Sequence, residues 1–434
     1  MTDSPRHPNV VQRYLLSRDV YYGWFVVAGC FFALLAVYGT ITAFGVFFTH
    51  FVAVFETSHA DTSIVFSLQM VSTYGSLSVL GFLVDRFAVS RLATIGAVLV
   101  GAGLIGAGVA SSFFGLAIAY GLVAGAGFGL TLLISYTTPV KWFDRRRGLA
   151  AGIAVSGSGV GMLLLPPLSE WLIDGYGWQT AYLSVGVGAS LVLLVASRVI
   201  VSSPRTFGVS TRDEFPDGGV PAATTTSSVG EQARSMKRIV GSVPFLLVTL
   251  SFMAAYTPHY ALSVHYVEYA QVSGIGRHVG VLALSVLGIS NVGGKFAAGY
   301  AADVTEPTTV LAGAAVLCGL SVIAIALVQQ PAVVLFLTVF YGVGIGGVGA
   351  VLSVVVADFF GTLNLNTAFG VSALAYMISG AVAPFATGYA FDHFGVYTPA
   401  LVISGLVGIS TVSLVYAARR VRGPTDDHSA SDTR

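Results

Sequence analysis

The stretch 75-GSLSVLGFLVD-85 is answered further along the chain by 293-GGKFAAGYAAD-303. Gly75, Gly81 and Asp85 return as Gly293, Gly299 and Asp303, each pair 218 residues apart. The same offset carries Gly152, Pro166, Asp174, Gly177 and Thr180 onto Gly370, Pro384, Asp392, Gly395 and Thr398. Eight pairs on one offset read as a parallel duplication of one half. The matter between them is apolar: hydrophobic residues make up 55% of the 434 and charged residues 9%, where a soluble domain carries about 25% charged residues. Gly is abundant at 52 residues, as expected where membrane helices pack closely.

A spanning helix needs about 20 apolar residues, and twelve stretches qualify. They run near 21–48, 62–84, 91–111, 113–139, 148–170 and 178–200, then 243–268, 278–301, 308–328, 331–356, 366–390 and 396–418. The chain therefore divides into an N-terminal tail (1–20), a six-helix half (21–201), a polar linker (202–242), a second six-helix half (243–418) and a C-terminal tail (419–434). The linker is rich in Pro, Gly, Ser and Thr, which suits a flexible connection. Paired six-helix halves with a site between them are how many secondary transporters are built.

Lys and Arg are nearly absent from the connections after spans 1, 3, 5, 7, 9 and 11, where Arg277 stands alone. The other face carries Arg86, Arg91, Lys141, Arg145, Arg146, Arg147, Arg419 and Arg420. By the positive-inside rule both termini are expected in the cytoplasm of a multi-pass cell-membrane protein. The N-terminus lacks the short apolar core and cleavage site of a signal peptide, so the first apolar stretch is read as a retained helix. Cys30 and Cys318 lie in apolar stretches and read as buried thiols rather than a disulfide framework. No long basic run lies outside the membrane flanks, so no nucleic-acid partner is expected. No nucleophile–base or metal constellation lies in the spans, so neither an enzyme nor a cofactor is expected.

Two motifs carry a resemblance. Gly81-Phe82-Leu83-Val84-Asp85-Arg86-Phe87-Ala88-Val89-Ser90-Arg91 resembles the loop signature of the major facilitator superfamily, with Ala88 in place of its second Gly. Trp142-Phe143-Asp144-Arg145-Arg146-Arg147-Gly148 with Ser156-Gly157-Ser158-Gly159-Val160-Gly161, and the opening Tyr21-Tyr22-Gly23-Trp24, resemble the monocarboxylate transporter family and its prokaryotic relatives, including the oxalate:formate antiporters. The resemblance implies an all-α membrane protein of the major facilitator fold, with twelve transmembrane helices in two pseudo-repeated halves. It also implies a gating role for Asp85, Arg86 and Arg91, for Asp303 in the degenerate second copy, and for Arg145. The alternative for these loop residues is solvated charge with no such role.

The chemistry centres on Lys295, the one Lys or Arg placed well inside a span, whereas Arg91 and Arg198 stand at span ends. A charge there costs at least about 2.5–3.5 kcal/mol on insertion scales, so it needs a partner. With no acidic residue buried nearby, the partner read from the sequence is an anionic substrate; the alternative is a Lys snorkelling to the cytoplasmic surface. The resembled family places an Asp and an Arg four residues apart in helix 8, where this chain has Asn291 and Lys295. The antiporters place a Lys in helix 11 where this chain has Ser379, after Tyr376, and the animal transporters place a Lys in helix 1 where this chain has Thr42. One fixed positive charge suits a monoanion. His265 and Tyr269 match a His-x-x-x-Tyr-Ala stretch of the prokaryotic relatives. His265 and the deeper His259 are candidates for carboxylate binding or proton transfer, with an ordinary interfacial hydrogen bond as the alternative. His265 and Glu268 share a helix face, which would let them exchange a proton. Tyr38, Tyr136, Tyr341 and Tyr376 complete the candidate lining.

The expectation is a secondary transporter of a small monocarboxylate with proton symport. Burial of an empty site favours uncharged Lys295, and the anion restores its charge. The alternatives are a proton-driven exporter of amphiphiles and a membrane sensor that keeps the fold. Oligomeric state is left open.

Overall fold

A computed structural model describes residues 21–84, 88–143, 147–202, 241–360 and 365–422. The described residues are helical, with no strand among them. The first half contains α1 (Gly23–Phe55), α2 (His59–Val84) and α3 (Val89–Gly108). Its α4 runs through Phe113–Leu116, a π-helical stretch Ala117–Ala124 and Gly125–Trp142. Arg147–Val199 holds α5 and α6, separated by a break at Gly177. The second half contains α7 (Val243–Val272), α8 (Arg277–Val304), α9 (Pro307–Leu327), α10 (Pro331–Phe360) and α11 (Leu365–Phe394). Its α12 is Thr398–Ile409 continued by Thr411–Arg422. Twelve crossings put the start of α1 and the end of α12 on one face, called proximal below; the opposite face is distal.

The break at Gly177 has φ 81° and ψ 160°, and Gly395 between α11 and α12 has φ 71°. These are repeat partners in the sequence, and both turns need the left-handed backbone that glycine supplies without a Cβ clash. The duplication is thus present in backbone conformation as well as in residue type.

Most of the rods are long and apolar enough to cross a membrane, with Arg147–Val199 long enough to do so twice; α2 and α11 lie at the seam between the halves. These two helices pack against each other across the halves. Ser67 Oγ donates to Ala381 O at 2.6 Å. The Ser67 hydroxyl thus serves the interface, where lipid does not reach. The π-helical stretch of α4 also meets hydroxyls of α2. A π register loosens the usual i→i−4 ladder, and Ser72 and Thr73 of α2 donate to Leu122 O (2.8 Å) and Gly125 O (3.1 Å) there.

α5 threads between α1 and α8 on small residues. A Cβ added at Gly157 would fall 2.1 Å from Phe31 O, and one at Gly161 2.1 Å from Leu35 O. On its other side a Cβ at Gly159 would fall 2.8 Å from Gly288 O of α8. Gly152 meets nothing within 4 Å, so the expected close packing begins only after it. Pro258 of α7 packs against Gly408 of α12, which gives the proline a packing role within the second half.

The proximal end of the first half is tied by the aromatic stretches that carried the family resemblance. Trp24 and Phe143 have ring centroids 4.7 Å apart, and Tyr21 Oη donates to Trp142 O at 2.6 Å. Trp142 Nε1 donates to Val201 O at 2.7 Å, which fixes the exit of α6 against the end of α4.

Candidate functional site

The two halves meet where α1, α2 and α5 face α7, α8 and α11. A cluster of tyrosines occupies the middle of this interface. Tyr38 and Tyr136 share a hydrogen bond of 2.8 Å between α1 and α4. Tyr74 of α2 lies 3.5 Å from the Tyr260 hydroxyl of α7 and stacks on Tyr376 of α11, with centroids 5.6 Å apart and planes 24° apart. Tyr376 in turn meets Tyr256 edge-on at 4.4 Å. His259 Nδ1 lies 2.7 Å from the Tyr341 hydroxyl of α10, and its ring is 5.2 Å from that of Tyr260. The Tyr38–Tyr136 pair lies near Tyr256 and Tyr260. The result is a ring of phenol hydroxyls and apolar faces contributed by both halves. Ser379, where the antiporters have their Lys, is buried with its hydroxyl 3.4 Å from Thr257 Oγ1.

Lys295 projects from α8 toward the first half, and its Nζ donates to Ser158 Oγ at 2.8 Å. Ser158 is buried and donates onward to Val155 O. No described carboxylate lies within ion-pair distance of Lys295. Its level follows from the α1–α5 register. Gly157 and Gly161 cross Phe31 and Leu35, so Ser158 lies about one helical turn proximal to Tyr38. The cation thus sits at the proximal edge of the tyrosine ring. Its neutral partner comes from the other half, a contact that no intra-half spacing reveals.

Asn291 is buried where α10 crosses α8; a Cβ at Gly346 would fall 2.2 Å from Asn291 O. Thr42 Oγ1 donates to Tyr38 O of its own helix at 2.8 Å. His265 is fully buried and stands apart from the ring. Its Nε2 donates to Pro384 O at 2.9 Å, and its Nδ1 lies 3.4 Å from the Tyr397 hydroxyl. The imidazole packs into the distal seal, 4.8 Å from the Phe48 ring of α1. Glu268, expected to exchange a proton with it, faces His59 instead, at 3.6 Å.

The distal ends are closed by two clamps between the halves. Arg277, the first residue of α8, donates to Glu170 of α5 through Nε (2.6 Å) and Nη2 (2.7 Å), to Thr49 Oγ1 (2.6 Å) and to Val46 O (3.0 Å). A further contact puts His50 Nε2 3.2 Å from Nη2, where the ring nitrogen accepts. On the other side, Asp392 of α11 receives the backbone N–H groups of His59 (3.0 Å) and Ala60 (2.8 Å) and the His59 Nδ1–H (2.8 Å). Close approach of α2 to α11 is possible because a Cβ at Gly388 would fall 2.7 Å from His59 O.

At the proximal face, Arg91 at the start of α3 and Asp303 near the end of α8 are exposed. Asp85, Arg86 and Arg145 lie outside the described residues. Sequence reading did not single out Tyr74, Ser158, His59 or Asp392 as parts of a working interface. Tyr74 stands one residue before the repeat stretch, and Asp392 is itself a repeat residue, so signals for both were present.

The Major Facilitator Superfamily model matches residues 30–384 and 282–433. Monocarboxylate transporter 13 of Bos taurus is 29% identical over 387 residues, covering 88% of this chain and 86% of that protein. Monocarboxylate transporter 12 of Xenopus laevis is 26% identical over 404 residues, with 88% and 86% covered. Among solved structures, a bacterial homologue of the human lysosomal transporter Spinster, inward-facing and unoccupied, superposes with a TM-score of 0.66 at 16% identity. That match covers 92% of this chain and 96% of the other, and it speaks to the fold alone. Two six-helix halves, the repeat expressed in paired glycine turns and the family match agree: the chain is a multi-pass membrane transporter of the Major Facilitator Superfamily and resembles the monocarboxylate transporters.

Proposed function

We propose that this transporter moves a small monocarboxylate, with a proton, across the cell membrane by alternating access between its halves. The observation that carries the reading is Lys295, a cation at the α5–α8 crossing whose described partner is the neutral Ser158 hydroxyl. A hydroxyl leaves the positive charge uncompensated, and a carboxylate would complete it. A single Lys makes a point-charge contact, which suits one carboxylate. The tyrosine ring beside it offers hydroxyl donors for the second oxygen and apolar faces for an organic body.

Lys295 and Ser158 belong to different halves, so a substrate that draws Lys295 from Ser158 acts directly on the contact between them. Movement of the halves then carries the anion from one face to the other. An uncompensated charge of this kind favours loss of the Lys295 proton from the empty site; anion and proton then bind together, and the loaded pair is neutral overall. Asn291, Tyr38, Tyr341, Tyr376, His259 and Thr42 are the proposed lining, with Asp85, Arg86, Arg91, Asp303 and Arg145 as the proximal gate. The Arg and Lys distribution supports cytoplasmic termini, which makes the distal face extracellular.

The test is uptake of radiolabelled lactate, pyruvate, acetate and formate into proteoliposomes, with and without an inward proton gradient. Gradient-stimulated uptake lost in Lys295→Gln is the expected result. Undiminished uptake in that variant overturns the assignment of Lys295.

A further inference from the structure

His59 and Arg277 are 218 residues apart, the offset of the internal repeat. Each is the first residue of its helix, and each reaches into the other half on the distal face. The two clamps are therefore one device built twice, with a difference. Arg277 is charged at any physiological pH, whereas a histidine titrates near neutrality.

The tautomer at His59 follows from its contacts. An ionised Asp392 carboxylate only accepts, so Nδ1 carries the hydrogen at 2.8 Å. Nε2 is then the remaining titratable atom. It is buried, has no hydrogen-bond partner among the described residues, and stands 3.6 Å from Glu268 Oε1. In the neutral ring a lone pair faces a carboxylate, which is repulsive. In the protonated ring an N–H faces the same carboxylate, which is attractive. Among the described residues the rest of the surroundings holds no competing Lys or Arg: α7 also supplies His265, engaged with Pro384 O; α12 supplies the Tyr397 hydroxyl; α1 supplies the Phe48 ring. On α2 itself Asp61 is bound to Ser58.

We propose that Nε2 of His59, set between Asp392 and Glu268, is a proton-binding site that latches the distal face shut. Opening that face separates α2 from α7 and α11, so the open state loses both carboxylates and the proton seat with them. His59 lies ahead of the 62–84 span, at the mouth. Burial there opposes its charge, but the nearby Glu268 carboxylate and the bonded Asp392 carboxylate outweigh burial and raise its proton affinity above the ordinary histidine value. The sign follows by linkage. The stabilisation of the closed state is fully present below the open-state value of about 6.5, and is lost as pH rises through the higher closed-state value. Acid on the distal side therefore closes the distal face.

This inference rests on alternating access but on no particular substrate. Its test is the distance between spin labels at Ser111→Cys and Gln329→Cys, exposed distal-loop positions in opposite halves, in full-length protein in nanodiscs. Native Cys30 and Cys318 are buried. Acidification from about pH 8 to about pH 5.5, across the histidine range, is expected to raise the closed-to-open ratio of the labelled parent by a few-fold to about tenfold. His59→Gln and Glu268→Gln should lose that response. His59→Arg, which copies the permanent charge of the other clamp, should favour closure at both pH values. Glu170→Gln should lower the closed fraction at both pH values while keeping the shift. A parent without a pH shift, or a shift that survives in both His59→Gln and Glu268→Gln, overturns the latch. Failure of carboxylate uptake with these distances as expected would count against the substrate reading alone.

Discussion

Arg277 and Glu170 form a two-bond ion pair between the halves, with Nε and Nη2 each within 2.7 Å of a carboxylate oxygen. The pair is mostly withdrawn from solvent, with Arg277 20% and Glu170 7% exposed. Thr49 Oγ1 and Val46 O take up remaining guanidinium hydrogens, so the clamp ties α8 to both α5 and α1.

Breaking such a pair from one side leaves a buried charge without compensation, at a cost of roughly 3–5 kcal/mol. The cost falls on the distal-closed state, because opening returns the survivor to water. Arg277→Ala is therefore expected to shift the resting population toward distal-open, read by the same label pair. Replacing both members, as Arg277→Met with Glu170→Leu, should recover much of the closed population. An unaltered distance distribution in Arg277→Ala would show that the clamp does not hold the face.

Much of this architecture was legible in the sequence. Apolar runs of spanning length report the bilayer directly, and Gly177 and Gly395 share an offset because both occupy a left-handed turn. The clamps were harder to read. His59 and Asp392 are 333 residues apart, and Arg277 and Glu170 107, so each looks like an isolated charge at a helix end. The readable signal was that His59 and Arg277 fall on the repeat offset although their side chains differ. His265 matches a family stretch read as a substrate contact, and the structure sets it beside Ser63 and Pro384 of the α2–α11 seal. The π-helical stretch of α4 left no trace in an Ala- and Gly-rich sequence, and the Ser72 and Thr73 hydroxyls that bond Leu122 O and Gly125 O come from another helix.

Lys295 offers a separation of charge from geometry. Lys295→Arg keeps the cation but changes its shape and hydrogen-bonding fork, and it must fit a crossing where Gly159 and Gly288 already touch. The expected order of proton-driven uptake is parent, then Lys295→Arg, then Lys295→Gln at background. Melting temperatures of the three should stay within a few degrees, since Nζ makes one described hydrogen bond. A Lys295→Gln protein that melts far below the parent would point to a structural role.

The α1–α5 crossing should tolerate no side chain. A valine at Gly157 or Gly161 would have to displace the backbone of α1 at Phe31 or Leu35, and overpacking of this kind costs about 1–3 kcal/mol or more. Gly157→Val and Gly161→Val are expected to lower the melting temperature. Gly152→Ala, with open space around it, should leave it unchanged or slightly raised. Equal effects at positions 152 and 157 would contradict the packing described for α5.

The tyrosine ring is held by ring contacts as well as by hydroxyls, and the two contributions separate at Tyr376. Tyr376→Phe keeps the stack on Tyr74 and the edge contact with Tyr256, so the melting temperature should stay close to the parent. Tyr376→Ala removes both contacts and opens a void between the halves; aromatic-to-alanine changes in packed interiors cost about 3–5 kcal/mol. The functional readout divides differently. If the phenol hydroxyl orients a carboxylate held by Lys295, Tyr376→Phe should raise the KM for uptake several-fold while leaving maximal rate largely intact, the signature of lost uniform binding. A Tyr376→Phe protein with parental KM for every carboxylate transported would remove this hydroxyl from the site and leave Tyr376 as a packing residue between α2 and α7.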